Sequence, residues 1–331
     1  MLKSGYKRRL LLIAATAVAC GMSPFSSAQS YPAEPVRLIV GYPPGGGTDL
    51  LARLIGSKLD QKWSKPIIVD NRPGGNGIIS AQAAKAARPD GYTLLLASSD
   101  HFVLVPNMYS GLPYDPVKDY VPIINVAKQH FVLVVNPSVP AKSLTELVKL
   151  IRAQPKLINF ASWGEGGGSH LAAEYLKTAT KTDFLHVPYK GTAPAIAAVI
   201  AGQDISAMFA TAASAIPNIK AGKLRGLAVT SNARLSMLPD VPTMGEEGFP
   251  NTDMYSWNGL FAPMGTPADV VAKIQSDVAT VLGQKDVVDQ LQALGLEPVG
   301  GSSAEFATQL KHDLTTWGSI VRDAGIRKKE L

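Results

Sequence analysis

"VRLIVGYPPGGGTDLLAR", residues 36–53, joins an apolar run to an amphipathic segment through three consecutive glycines. The apolar run predicts a buried strand, and apolar residues at helical spacing predict a helix over 48–62. A strand, a glycine-rich turn and a helix in this order are typical of α/β proteins and of anion-binding loops. The alternative is a tight turn that binds no ligand.

The glycine loop does not match a nucleotide-binding motif. The P-loop pattern places a lysine before its Ser or Thr, but Gly47 stands at that position, before Thr48. The dinucleotide pattern also fails, because its third glycine would be Leu50. The glycines still allow a close approach of the backbone, and a helix N-terminus favours negative charge. The loop therefore predicts a site for a small anion, such as a carboxylate.

Two later junctions repeat this arrangement. "DNRPGGNG" (70–77) follows "PIIV", and "GEGGGSH" (164–170) follows "INFAS". In an open parallel sheet such junctions lie at the carboxyl ends of strands, where ligands bind. The three loops together predict one anion site lined from two lobes.

Short β-branched runs alternate with helical segments along the chain, which predicts an α/β fold. The predicted strands are 36–40, 66–70, 92–98, 130–136, 158–162, 184–189, 205–210 and 224–230. The predicted helices cover 48–62, 77–87, 143–153, 169–179, 192–201, 267–282, 285–293 and 303–324. Lys220 is predicted to lie in the last turn of a further helix, before Gly222.

The first 28 residues have the pattern of a secretory signal peptide. A basic segment precedes the apolar run 10–19, and "SSA" (26–28) offers a cleavage site before Gln29. A lipoprotein beginning at Cys20 is the alternative. Cleavage after Ala28 would remove four basic residues and lower the formal net charge from +6 to +2. The mature chain would then lack cysteine, and no basic cluster indicates a nucleic-acid partner.

Neither a catalytic nor a metal-binding motif is present. The five histidines do not form an H-E-x-x-H or other metal-binding spacing, and the G-x-S-x-G elbow of hydrolases is absent. Asp49 could act in catalysis, but a carboxylate in a first helical turn usually pairs with the helix dipole. We therefore expect no enzymatic activity, no cofactor and no metal.

Many segments, in order, resemble the periplasmic solute-binding proteins of tripartite tricarboxylate transporters, also called the Bug family. The resemblance runs from Tyr31 to about Ile326. The segments that carry it are "YPAEPVRLIVGYPPGGGTDLLAR", "DNRPGGNG", "ARPDGYTLLLAS", "LPYDPVKDYVPI", "GEGGGSHLAAE", "HVPYKGTAPA", "AGKLRGLAVTS", "LPDVPTMGEEGFP", "FAPMGTPADVV" and "GLEPVGGSSAEF".

The resemblance implies a two-lobed periplasmic binding protein fold, type II-like, with a ligand cleft between the lobes. One lobe would comprise 29–129 and 258–331, and the other 130–257, with hinges near 126–132 and 252–260. The expected protein is a monomer that captures a small carboxylic acid, a dicarboxylate or an aromatic carboxylate. It would deliver this acid to a membrane permease. The alternatives are a sensor that signals to a membrane kinase and a carboxylate-acting hydrolase.

The resemblance also implies the binding residues. In the family the first glycine loop holds a ligand carboxylate through backbone N–H groups and bridging waters. The residues expected to bind ligand here are Tyr42, Gly46, Gly47, Thr48, Asp49, Asn71, Gly75, Gly77, Ser98, Trp163, Gly164, Glu165, Ser169, Thr192, Phe209 and Thr211.

Three of these residues depart from the family pattern. Tyr42 stands where Phe is frequent, and Trp163 and Glu165 occupy positions that are often small or apolar. Trp163 and Glu165 are therefore expected to influence which acid is bound, by stacking or by repelling a second carboxylate. The alternative is that both side chains point to solvent at the rim of the cleft.

Overall fold

The computed structural model describes residues 31–155, 157–249, 254–323 and 328–331. The strands are β1 (Val36–Val40), β2 (Ile67–Asn71), β3 (Thr93–Ser98), β4 (Tyr109–Ser110), β5 (Tyr120–Val135), β6 (Phe160–Ser162), β7 (His186–Pro188), β8 (Ala207–Thr211), β9 (Arg225–Val229), β10 (Tyr255–Pro263), β11 (Leu296–Gly300) and β12 (Lys329–Glu330). The predicted signal peptide, 1–28, and its cleavage site lie outside the described residues, as does part of the predicted hinge 252–260.

Helices alternate with these strands. They are α1 (Gly47–Trp63), α2 (Ile78–Lys85), α3 (Val105–Met108), α4 (Leu144–Ala153), α5 (Gly168–Thr180), α6 (Thr192–Ala201), α7 (Ala212–Lys220), α8 (Ala268–Leu282), α9 (Lys285–Ala293) and α10 (Ser303–Asp323). A 3₁₀ turn spans Gly75–Gly77 and a π-helical turn spans Asp100–Leu104. The predicted α/β fold is confirmed. Among the described residues, no helix combines the length and apolar character needed to cross a bilayer.

Local sequence explains the burial of β1 and the start of α4. β1 is almost wholly buried, which fits a parallel strand with neighbours on both sides. α4 begins after Ser143, whose side chain accepts a hydrogen bond from the Glu146 N–H at 3.1 Å. This contact satisfies one of the N–H groups that a helix start leaves without a partner.

Ten strands form one mixed sheet in the order β2-β1-β3-β10-β5-β8-β6-β7, with β11 and β9 also paired to β5. The pairs that β1 makes with β2 and β3, and that β6 makes with β7 and β8, are parallel. β10 runs antiparallel to both β3 and β5. The carboxyl ends of β1, β3 and β6 carry the segments that form the site described below.

β5 is the strand that links the two ends of the sheet. Residues 120–130 pair with β10, and residues 131–135 pair with β8. The predicted strand 130–136 is therefore only the second half of a longer strand, because Asn125, Lys128 and Gln129 interrupt the apolar pattern of the first half. β10 and β11 were not predicted.

Two clusters include many of the buried apolar residues, while others, such as Leu51, Leu59 and Leu94, belong to neither. One includes Phe131, Phe160 and Phe209 around the second half of β5. The other includes Phe102, Trp257 and Phe261 and is covered by α10. β5 contributes Phe131 to the first cluster and Tyr120 to the second, so this strand connects the two.

Candidate functional site

Two helices begin at glycines that cannot supply a capping side chain. α1 starts at Gly47 after Gly46, and α5 starts at Gly168 after Gly167. The first N–H groups of a helix have no partner within the helix, so both helix starts can donate hydrogen bonds to an acceptor from elsewhere.

A narrow pocket lies at the start of α1. It encloses about 500 Å³ of empty space, part of it open to solvent. It is lined by Tyr42, Pro43, Pro44, Gly46, Gly47, Thr48, Ser98, Asp100, Gln129, Trp163, Thr192, Ala193, Pro194, Thr211 and Ser256. Among the described residues of this lining, Asp100 carries a charged side chain, and there is neither lysine nor arginine.

The loop before α1 is held from behind by Asp49. Its carboxylate accepts hydrogen bonds from the Gly45 N–H at 2.9 Å, Arg53 Nε at 3.0 Å and Asn71 Nδ2 at 3.0 Å. Burial alone would raise the pKa of Asp49, but these hydrogen bonds outweigh burial and lower it. Asn71 also donates to the Tyr42 carbonyl at 3.0 Å. The side chains of Asp49 and Asn71 thus shape the loop from outside the pocket.

The Asp100 carboxylate accepts three hydrogen bonds at the pocket. It lies in the π-helical turn after β3 and is 1% exposed. Its Oδ2 accepts hydrogen bonds from Trp163 Nε1 at 2.6 Å and from the Tyr42 hydroxyl at 3.2 Å, and its Oδ1 accepts one from the Gly168 N–H at 3.2 Å. Burial raises the pKa of Asp100, and the three hydrogen bonds oppose that rise. Asp100 therefore caps the N-terminus of α5.

Tyr42 connects Asp100 with the end of β3. Its hydroxyl lies 3.0 Å from Ser98 Oγ as well as 3.2 Å from Asp100 Oδ2. Burial and the charge of Asp100 raise the pKa of Tyr42 well above its ordinary value. The phenol is thus a neutral hydrogen-bonding group at working pH.

Gln129 is a polar residue in the middle of β5 that faces the start of α1. It is 4% exposed, and its Oε1 has no hydrogen-bond partner among the described residues. A Cβ atom added to Gly47 would lie 3.4 Å from this oxygen. Because an amide can present either a donor or an acceptor, Gln129 can serve a polar group bound at Gly47.

The far wall of the pocket comes from the second half of the chain. Trp163 is 5% exposed and packs edge-on against Phe131 with ring centroids 5.3 Å apart. Thr192 begins α6, and Thr211 ends β8, where its Oγ1 donates to Ser214 Oγ at 3.0 Å. The far wall therefore offers one aromatic edge and two hydroxyl groups.

The structure brings half of the predicted binding residues to this pocket: Tyr42, Gly46, Gly47, Thr48, Ser98, Trp163, Thr192 and Thr211. Three others, Gly75, Gly164 and Glu165, line a neighbouring cavity that shares Tyr42 and Trp163 with it. Glu165 pairs with Lys329 there and is half exposed, so it faces away from the first pocket.

Three more predicted residues, Ser169, Phe209 and Gly77, line neither cavity and pack within the protein. Ser169 Oγ donates to the Phe209 carbonyl at 2.6 Å, and both residues are wholly buried. Gly77 has a φ of +92°, and a Cβ there would lie 1.9 Å from the ring of His101. Gly77 is therefore required by the backbone turn and by the space that His101 occupies.

Sequence reasoning missed Asp100, Gln129 and Ser256. Asp100 follows a predicted parallel strand directly, which is a position where polar side chains meet ligands. Gln129 is a polar residue next to a long apolar run, and such a residue is buried only when it has a polar partner or a function. No group of three or more His, Cys, Asp or Glu in the described ranges could hold a metal ion.

The sequence matches one family model and several known proteins over most of its length. The family model described as "Tripartite tricarboxylate transporter family receptor" matches residues 51–326. Protein BugT of Bordetella pertussis is 32% identical over 323 residues, which cover 97% of this chain and 99% of that protein. A protein from the tcbD-tcbE intergenic region of a Pseudomonas species is 34% identical over 316 residues, covering 95% of this chain and 94% of that protein.

Solved structures with the same fold include proteins with bound acids. Rpa4515 of R. palustris with adipate has a TM-score of 0.87 at 32% identity, covering 91% of this chain and 100% of that one. The periplasmic binding protein BugD has a TM-score of 0.85 at 30% identity, covering 90% and 100%. MatC of Rhodopseudomonas palustris with bound malate has a TM-score of 0.82 at 30% identity, covering 88% and 100%.

Proposed function

Because the chain belongs to the tripartite tricarboxylate transporter receptor family, which includes the Bug proteins, we propose that it is a periplasmic solute-binding protein. It captures a small carboxylic acid and delivers it to the membrane permease of such a transporter. The adipate and malate bound by two similar structures support this chemical class.

The observation that carries the proposal is the start of α1. Gly46 and Gly47 leave the first N–H groups of a 17-residue helix without a capping side chain, at a pocket whose described lining has no lysine or arginine. The buried Gln129 amide faces the same point. Backbone N–H groups and a helix dipole bind a carboxylate well without a cationic side chain.

Delivery to a permease requires a protein that closes on its ligand. We assign residues 29–129 and 258–331 to one lobe and residues 130–257 to the other, with hinges near 126–132 and 252–260. One feature supports this division: β5 pairs with β10 up to His130 and with β8 from Phe131 onwards. The protein works as a monomer in the periplasm.

The proposed protein binds its ligand without chemical change. The hydroxyl groups of Ser98 and Thr211 each pair with another hydroxyl group, from Tyr42 and Ser214, and not with a histidine that could act as a base. Mass spectrometry of a bound acid after prolonged incubation should recover it unaltered. A stoichiometric or catalytic loss of the acid would contradict this part of the proposal.

A thermal-shift screen of mono- and dicarboxylic acids tests the function. An acid at a hundredfold excess over Kd should stabilise the protein by about 2.7 kcal/mol, or roughly 5 °C in Tm for a chain of this size. Failure of every acid to raise Tm would overturn the proposal.

The Gly47→Ala variant tests the position of the carboxylate. The added Cβ would lie 3.4 Å from Ala213 Cβ and from Gln129 Oε1, which is ordinary contact, so the variant should fold normally. The methyl group would occupy space that the carboxylate needs, and affinity should fall at least tenfold (about 1.4 kcal/mol). Gly47→Val should abolish binding.

Gly283→Ala is the matched control. Gly283 follows α8 with φ −80°, and a Cβ there would have no neighbour closer than 3.6 Å. It should leave affinity unchanged. Wild-type affinity in a folded Gly47→Val protein would place the carboxylate elsewhere.

A further inference from the structure

The two glycine-started helices at the pocket differ in one respect. The start of α1 has no side-chain cap, whereas the start of α5 is already occupied by Asp100, which comes from a distant part of the chain. A carboxylate at a helix N-terminus satisfies its N–H groups and pairs with its dipole. Of the two positions that suit an anion, one is therefore filled by the protein itself.

We propose that Asp100 makes the pocket selective for acids with a single carboxylate, whose other end carries a hydrogen-bond donor such as an ammonium or a primary amide. This inference rests on the proposed function, because it takes a carboxylate at the start of α1 as given. It names the class of acid among those that the function would allow, and it excludes dicarboxylates.

The hydrogen bonds of Asp100 leave room for one more donor. A carboxylate has about four acceptor positions. Trp163 and Tyr42 use two on Oδ2, and the Gly168 N–H uses one on Oδ1. Asp100 also lines the pocket, so a ligand bound there meets an acceptor and a negative charge together.

The rest of the described lining offers no positive charge that would offset the repulsion between Asp100 and a second ligand carboxylate. Its other polar side chains are hydroxyl groups and the Gln129 amide, and within the described chain it contains no lysine or arginine. Two like charges about 5 Å apart at an effective dielectric constant of about 20 repel strongly enough to change affinity more than a hundredfold. An ammonium group at the same place would be attracted instead.

Glu165 does not supply this selectivity. It pairs with Lys329 and lines the neighbouring cavity instead. Trp163 acts through Asp100, because its indole N–H holds the carboxylate in place at 2.6 Å. The negative charge in the pocket thus comes from the π-helical turn after β3.

Calorimetry with acids of equal length tests the proposal. The probes are succinate, succinamate, 4-aminobutyrate and butyrate, together with the corresponding five-carbon set from glutarate to pentanoate. In the wild-type protein, the amino acid or the amide acid of one length should bind at least tenfold more tightly than the dicarboxylate.

The Asp100→Asn variant separates selectivity from a purely structural role. Asparagine removes the charge and keeps one acceptor oxygen, which can serve either the Gly168 N–H or the Trp163 indole N–H but not both. The ratio of dicarboxylate to amino-acid affinity should rise at least tenfold. A residue that only capped α5 would weaken all probes equally and leave this ratio unchanged.

Asp313→Asn is the matched control. Asp313 is also buried and also accepts a tryptophan N–H, from Trp257 at 2.8 Å, but it lies outside the pocket lining. Its variant should leave every affinity ratio unchanged.

Three results would overturn the inference. If succinate or glutarate binds at least as tightly as its amino or amide analogue, and Asp100→Asn leaves the ratio unchanged, the inference fails while the proposed function stands. If none of these probes binds while another acid of the thermal screen does, the inference fails and the proposed function stands; if no acid binds in either experiment, both fail.

Discussion

His101 lies wholly buried at the junction of two loops that shape the site. Its ring fills the space that a side chain on Gly41 or Gly77 would need, and it lies 4.8 Å from the ring of Tyr42. Burial lowers the pKa of His101 from its ordinary 6.5 to about 3. The folded protein therefore keeps this imidazole neutral at pH values where the unfolded chain is protonated.

This burial makes stability depend on pH. The contribution is fully present above pH 6.5 and is lost as pH falls from 6.5 towards 3, because only the unfolded chain takes up the proton in that window. At pH 5 the free energy of unfolding should be about 2 kcal/mol lower on account of His101 alone. Urea unfolding at a series of pH values measures the effect.

Variants at two histidines provide the comparison. His101→Gln should reduce the slope of unfolding free energy against pH by about 1.4 kcal/mol per pH unit between pH 6 and 4. His312→Gln replaces an exposed histidine on α10 and is the comparison for a histidine that is not buried. An NMR titration that showed His101 taking up its proton near pH 6.5 in the folded protein would contradict the argument.

Single residues of the site were predicted from a local pattern or from the family resemblance, as Ser98, Thr192 and Thr211 were. Gly46, Gly47 and Thr48 were predicted because glycines before a helix start are visible in the sequence. Asp100 was not, because its partners Trp163 and Gly168 lie more than 60 residues away. No local spacing reports a contact of that kind.

At the scale of elements, α10 shows how side chains fix a helix on the sheet. Phe306 lies over β10 at Gly259, where an added Cβ would be 2.1 Å from its ring. Trp257 on β10 is 1% exposed, and its Nε1 donates to Asp313 Oδ2 at 2.8 Å. The lack of a side chain at Gly259 and the buried hydrogen bond between Trp257 and Asp313 thus position α10 on the sheet.

Asp313→Ala should destabilise the protein by about 1 to 3 kcal/mol, because it removes the acceptor of a buried indole N–H. Asp313→Asn retains an oxygen acceptor and should cost less. Asp289→Ala removes an exposed ion pair with Lys285 on α9 and should change stability by less than about 0.5 kcal/mol. Equal urea midpoints for Asp313→Ala and Asp289→Ala would show that the buried contact does not hold the helix.

Helices were easier to predict than strands for a physical reason. α6 and α9 have the predicted bounds, because their ends are marked by glycine or polar residues in the sequence. β5 and β10 were missed in whole or in part because they carry polar residues that are buried between other strands. Long-range pairing, and not the local pattern, makes these segments strands.

For the whole molecule, β5 suits movement about a hinge, because it changes its strand partners after His130. Contacts between the proposed lobes are both polar and apolar: Asp100 accepts hydrogen bonds from Trp163 and from the Gly168 N–H, and Leu171 on α5 packs into the cluster that contains Phe102 and Trp257. Opening would therefore have to break these hydrogen bonds and release Leu171, and a ligand that contacts both lobes would favour the closed state.

Spin labels on the two proposed lobes should report this movement. Ile79 on α2 and Leu185 before β7 are 50% and 61% exposed, so Ile79→Cys and Leu185→Cys can be labelled without disturbing the core. Electron paramagnetic resonance should give a shorter and narrower distance distribution when the tightest-binding acid from the thermal screen is added, since a ligand shifts the population towards the state that binds it.

The distance distribution of a control pair at Ile68 and Ile79, both on one side of the proposed hinge, should not change. If the distribution between positions 79 and 185 is the same with and without the acid, the protein binds without closing, and the hinge proposed near 126–132 is wrong.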